Sequence, residues 1–99
     1  MKVAIYGLTC QNSVLDCIAE LLEELYKENA EIYFEKEFYR LIKAQRDVGD
    51  FPIFADSKGL DAHFDMFVSF GGDGTILRAT TYVRDLGIPI VGVNTGRLG

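Results

Sequence analysis

Met66-Phe67-Val68-Ser69-Phe70, followed at once by Gly71-Gly72-Asp73-Gly74-Thr75, is the stretch on which the reading of this chain turns. Five residues without a charge read as a strand buried on both faces, as in a parallel sheet. The glycines turn the chain, and Thr75 to Leu86 then reads as a helix, closed by Gly87 just beyond its end. Upstream, Val3 to Tyr6 is a similar short apolar run ending at Gly7. Val14, Ile18, Leu21, Leu22 and Leu25 recur at helical spacing over a segment that Asn12 or Ser13 can cap and that reaches about Asn29. Glu31 to Glu35 reads as a second strand, and Phe38, Leu41 and Ile42 within Glu37 to Arg46 as a second, shorter helix. From Asp47 to Phe64 the periodicity breaks up, so a connecting loop with short structured pieces is expected there, and Ile88 to Val93 is the last strand. Strands alternating with helices predict an α/β fold, an open and mainly parallel sheet with helices on its faces in a Rossmann-like three-layer arrangement.

The bulk properties exclude several classes. Ninety-nine residues allow at most one small domain, and 48% hydrophobic with 25% charged residues predicts a folded core rather than disorder. A net charge of −5 without a Lys/Arg cluster argues against nucleic acid as a partner. Cys10 and Cys17, seven apart, match neither a redox pair nor a zinc spacing, and no further Cys/His group completes a site. No segment approaches the roughly 18 apolar residues of a membrane span, and the N-terminal run is too short for a signal peptide, so the cytoplasm is the expected compartment. His63 has no partner at a recognisable spacing and is expected at the surface or in packing, while Tyr33, Phe34, Phe38, Tyr39 and Met66 are expected to pack.

Chemistry concentrates at Gly71-Gly72-Asp73-Gly74-Thr75. In open α/β sheets, ligands bind at the carboxyl ends of the strands. Glycines there let a ligand approach the main chain, and the N–H groups and partial positive charge of the next helix suit a phosphate. A carboxylate inside such a cradle repels phosphate at short range, so Asp73 implies a second task. It can accept the proton of a hydroxyl attacking phosphorus, or hold a magnesium ion against the phosphates, and both belong to phosphoryl transfer. The plain alternative is a tight turn in which Asp73 merely starts a helix.

Gly71 to Thr75 resembles the signature shared by NAD kinases, diacylglycerol and sphingosine kinases and, more loosely, phosphofructokinases. Gly92-Val93-Asn94-Thr95-Gly96-Arg97-Leu98-Gly99 separates them, because it is similar to the G-(I/V)-N-x-G-x-L-G-F segment of NAD kinases and unlike the P-x-G-T-x-N-D segment of lipid kinases. The opening Lys2 to Gly7 is also similar to bacterial NAD kinases. This resemblance implies transfer of a phosphoryl group from ATP, or from inorganic polyphosphate, to the adenosine-ribose 2′-hydroxyl of NAD, with a divalent metal such as magnesium. It implies that Asp73 is the proton acceptor and that Gly71, Gly72, Gly74, Thr75, Arg78 and Asn94 are binding residues. A cation at Arg78, early in a helix, is mildly disfavoured by the helix dipole, which fits an anionic ligand nearby.

The resemblance also implies what is missing: the chain stops inside the second motif, before the mostly β C-terminal domain that supplies much of the NAD pocket and the oligomer contacts. Residues 1–99 are therefore expected to be the N-terminal domain of a two-domain kinase, a homo-oligomer at full length, and inactive alone. Two rivals remain: a lipid or sugar kinase using the same Asp73, and a small nucleotide-binding module that transfers nothing.

Overall fold

A computed structural model of the chain describes residues 1–94. Five strands, β1 (Lys2–Gly7), β2 (Glu31–Glu35), β3 (Ile53–Phe54), β4 (Met66–Phe70) and β5 (Ile90–Val93), form one sheet in the order β3-β2-β1-β4-β5. Every pairing between neighbouring strands is parallel. The helices α1 (Asn12–Lys27), α2 (Lys36–Lys43) and α3 (Asp73–Val83) connect them. The expected α/β class with an open parallel sheet is the fold observed.

Alternation along the strands divides the core in two. Val3 and Ile5 of β1, with Ile32 and Phe34 of β2, pack against Val14, Leu15, Ile18 and Leu25 of α1 and against Phe38 and Ile42 of α2. Ala4 and Tyr6 point the other way, to Ala79 and Val83 of α3 and to Phe54, Leu60 and Phe64 from the segment that crosses back under the sheet. The sheet is thus the middle of three layers, and this is why its strands read as continuous apolar runs. Phe34, Phe38 and Phe67 are fully buried, each contributing about 2 kcal/mol or more by removal from water. The aromatic residues expected to pack do so, and His63 is exposed in a turn where its N–H donates to Asp61 Oδ1 at 2.8 Å.

Local differences from the sequence reading have physical reasons. Helix α1 begins at Asn12, so Asn12 and Ser13 lie in its first turn and the cap position falls to Gln11, whose side chain makes no cap bond. Helix α3 begins two residues earlier than expected and ends three earlier, at Val83. Its second half is β-branched, and the Thr80 and Thr81 hydroxyls donate to the carbonyls of Leu77 and Arg78 at 2.6 and 2.7 Å, a competition that weakens a helix. Arg84 then takes φ +50° and closes the end ahead of Gly87, whose own φ is +78°. Pairing of β5 starts at Ile90, while Ile88 is already buried in the α3-side core. The two-residue strand β3 has no readable pattern of its own, because its place is decided by pairing with Phe34 and Glu35.

The strand order locates the site. From β1 the sheet grows one way through β2 and β3, and then resumes on the opposite side of β1 with β4 and β5. The carboxyl ends of β1 and β4 are neighbours, with Gly7 paired to Phe70, at the point where the order reverses. Such a switch point opens a crevice between the loops that leave the two strands. One of those loops is Gly71–Gly72.

Next to it, Ser69 is fully buried and its Oγ has no hydrogen-bond partner among the described residues. A buried orphan hydroxyl costs stability, so Ser69→Ala is expected to raise stability by about 1 kcal/mol, read as a higher denaturation midpoint; a lower midpoint would show that the hydroxyl is satisfied.

Candidate functional site

Gly71 continues the ladder, its N–H donating to the Val93 carbonyl at 2.9 Å, and then turns the chain with φ +144°. A side chain here would be strained, and a Cβ would also overlap Thr75 Oγ1. Thr75 is buried, so its hydroxyl packs against the inside of the turn. Gly72 is the N-cap residue of α3, and its carbonyl accepts from the N–H groups of Thr75 and Ile76 at 3.1 and 3.2 Å. The N–H groups of Asp73 and Gly74 have no partner inside the helix, as at any helix start, and face the crevice end of α3 with its partial positive charge.

Gly72 and Gly74 differ from Gly71. Neither has a positive φ, and a Cβ at either would meet nothing within 4 Å among the described residues. Among the described residues, packing does not require glycine at these two positions, and the space above the main chain there is open. Asp73, between them, is exposed and lies in the first turn of α3, where a carboxylate is favoured by the helix dipole. Asn94, also exposed, directly follows β5 at the same carboxyl edge. Thr95 to Gly99 of the second motif lie outside the described residues.

The structure adds a polar layer that the sequence does not announce. Glu35 ends β2, is 5% exposed, and caps α2 by accepting the Phe38 N–H at Oε1, 2.9 Å. Tyr82 of α3 packs on Tyr6 of β1 with ring centres 5.0 Å apart, and the Glu35 carboxylate and the Arg78 guanidinium act electrostatically on both hydroxyls. Burial lifts the Tyr6 hydroxyl above the ordinary phenol range, against the pull of Arg78. Burial first, and then the Glu35 carboxylate, push Tyr82 up to about 12. These residues come from three elements, and only their isolated polarity at the carboxyl ends of β1 and β2 could have signalled them.

Among the described residues no three His, Cys, Asp or Glu side chains gather as metal ligands. Asp73 by itself still fits magnesium, which is commonly held by one or two carboxylates plus substrate phosphates. A groove of about 530 Å³ lined by Leu22, Tyr26, Ile32, Val48 and Phe51 lies beside the carboxyl-terminal half of α1, away from this crevice, and contains no residue of either motif.

An open parallel sheet, a switch-point crevice, and a glycine turn leading into a helix start make an α/β domain of the kind whose ligands bind at the carboxyl ends of the strands. A family model described as the ATP-NAD kinase N-terminal domain matches residues 5–99. The chain is 44% identical over 100 residues to an NAD kinase of Christiangramia forsetii and 43% identical over 100 residues to one of Flavobacterium psychrophilum. It is 45% identical over 101 residues to one of Bacteroides fragilis. Each of these alignments covers 100% of this chain and 34% of the relative, so the chain spans about a third of their length. It belongs to the ATP-NAD kinase family. No helix among the described residues is long and apolar enough to cross a membrane.

Two outcomes are expected from this geometry. Gly71→Ala should destabilise the fold by about 1–3 kcal/mol, whereas Gly74→Ala, in open helical backbone, should stabilise it by about 0.5–1 kcal/mol. Equal signs in chemical denaturation would refute the distinction between the two glycines. The second concerns pH: because folding raises the Tyr82 pKa from about 10 to about 12, its contribution is complete below pH 10 and is lost as pH rises through 12. Stability should therefore fall across that window, and Tyr82→Phe should flatten the fall; an unchanged alkaline limb would refute the assignment.

Proposed function

We propose that the protein carrying this chain is an NAD kinase that moves the terminal phosphoryl group of ATP, or of inorganic polyphosphate, to the 2′-hydroxyl of the adenosine ribose of NAD. The observation that carries this reading is Asp73, exposed between two glycines that keep space open at the start of α3, in a chain of the ATP-NAD kinase family. The 2′-oxygen forms a bond to the terminal phosphorus while the bond from that phosphorus to the bridging oxygen breaks. The hydroxyl proton passes to the Asp73 carboxylate. An ordinary carboxylate serves, because it accepts the proton as the new bond forms and need not ionise the alcohol beforehand.

Each site residue has a part in this proposal. The N–H groups of Asp73 and Gly74 and the positive end of α3 receive phosphate oxygens, and Gly72 and Gly74 let the nucleotide reach the main chain. Gly71 and Thr75 hold the turn in shape, Arg78 meets an anionic group, and Asn94 contacts the ligand from the end of β5. Magnesium would be held through the substrate phosphates and would supply neutralisation of their charge, and Asp73 is the carboxylate of this site that could hold it in place of taking the proton. Further groups complete the pocket from outside these residues, in a mostly β C-terminal domain, which accords with the chain spanning about a third of its relatives. The 99 residues alone are then expected to turn over no NAD, because positioning needs both walls of the cleft. The same reading assigns the protein to the cytoplasm as a homo-oligomer with nucleotide ligands and no nucleic-acid partner.

The test supplies the protein, at the length of its relatives, with magnesium and ATP and offers NAD and a diacylglycerol in parallel. Phosphate is expected on NAD. Phosphate on the lipid would make it a lipid kinase, and phosphate on neither would leave a binding module. Asp73→Asn is expected to lower turnover by roughly 10²–10⁴ while NAD affinity changes by no more than a few-fold; matching losses would make Asp73 a binding residue instead.

A further inference from the structure

Asp73, Ile76, Leu77 and Thr80 fall at i, i+3, i+4 and i+7 of α3 and so share one stripe along the helix. All four are exposed, and the two in the middle are apolar, with Ile76 36% and Leu77 69% exposed. The outer face of a surface helix normally carries polar and charged residues, and the only charge on this stripe is Asp73. Ile76 leans over β5, where its Cδ1 occupies the space that a Cβ at Gly92 would need. The apolar surface continues around the edge of the sheet to Val91, 43% exposed on the opposite face of β5. That edge is open, since β5 has β4 on one side and no strand on the other among the described residues. The N–H groups of Phe67 and Gly71 donate to the carbonyls of Pro89 and Val93, both at 2.9 Å. By the alternation of a parallel ladder, the main-chain groups of Ile90 and Gly92 therefore point outward. No charged residue in Ile90–Val93 guards this edge, whereas the opposite edge, β3, is two residues long and follows Pro52.

The length of the relatives points to what covers this surface. The matched family model is that of an N-terminal domain, and the chain covers 34% of each relative, so about two-thirds of a protein of that length follows it. Strand β5 ends at Val93, so the following polypeptide sets out from this same edge. We propose that the β5 edge, with Ile76 and Leu77 on one face and Val91 on the other, is the docking surface for the part of the same polypeptide beyond residue 99. That part seats an apolar segment on these side chains and pairs its main chain with Ile90 and Gly92. Leu77 lies one turn from Asp73 on the same stripe, so a segment seated there stands beside the carboxylate and forms the second wall of the crevice. The catalytic meaning of that wall rests on the kinase reading above, and the docking itself does not.

The experiment uses the protein at the length of its relatives. Leu77→Cys is labelled with a maleimide, and the labelled peptide is identified by mass so that Cys10 and Cys17 are not counted with it. Labelling of the native protein is expected to be about a hundredfold slower than in denaturant, and a native rate within about tenfold of the denatured one would overturn the proposal. A benzophenone side chain at position 77 identifies the occupant. A crosslink to a residue beyond 99, at the mass of one chain, is expected; a product of twice that mass would assign the surface to a second copy and overturn the proposal. The unmodified protein gives a reading that depends on no variant. Its Ile90 and Gly92 amides are expected to exchange with solvent about a hundredfold slower than open amides, because a covered N–H must be bonded, and exchange at the open rate would overturn the pairing. A protein protected at Leu77 that phosphorylates neither NAD nor a lipid would defeat the kinase reading and leave this inference standing. One that phosphorylates NAD while its Leu77 position labels freely would do the reverse.

Discussion

Strand β1 must be covered on both faces, and the rest of the domain follows from that requirement. Val3, Ala4 and Ile5 are all fully buried, and they point alternately up and down. A parallel strand with apolar residues on both sides cannot face water on either, so helices are needed above and below. Helices α1 and α2 cover one face, and α3 with the returning segment covers the other. To have helices on both faces the chain must change direction once along the sheet, and that change is what creates the crevice between β1 and β4.

Close packing at the crevice then decides what each glycine does. A Cβ at Gly7 would come within 2.6 Å of the Phe38 ring, and one at Gly92 within 2.7 Å of Ile76 Cδ1, so these two glycines let α2 and α3 close onto the sheet. Gly71 serves the turn itself. A Cβ at Gly72 or Gly74 would meet nothing within 4 Å among the described residues, and neither has a positive φ.

The polar layer beneath Arg78 shows how a parallel sheet admits charge. Glu35 sits at the carboxyl end of β2, where an acidic group can satisfy the first turn of α2 instead of standing unpaired. Tyr82 and Tyr6 extend that anchorage to the α3 face.

Much of the site was legible in the sequence because its signals are local. The glycine turn between an apolar run and a helix, the carboxylate inside it, and the second motif at the end of the last strand depend on neighbours within a few residues, so both the α/β class and the place of Asp73 could be read directly. Helix ends were read less well, since the hydroxyl bonds of Thr80 and Thr81 and the positive φ of Arg84 outweighed the glycine at position 87. Tertiary structure alone decided the strand order, the pairing of β3, and the meeting of Tyr6, Glu35, Tyr82 and Arg78. These contacts join residues far apart in the chain through packing that carries no short-range period, and a linear sequence records only the short-range part of that physics.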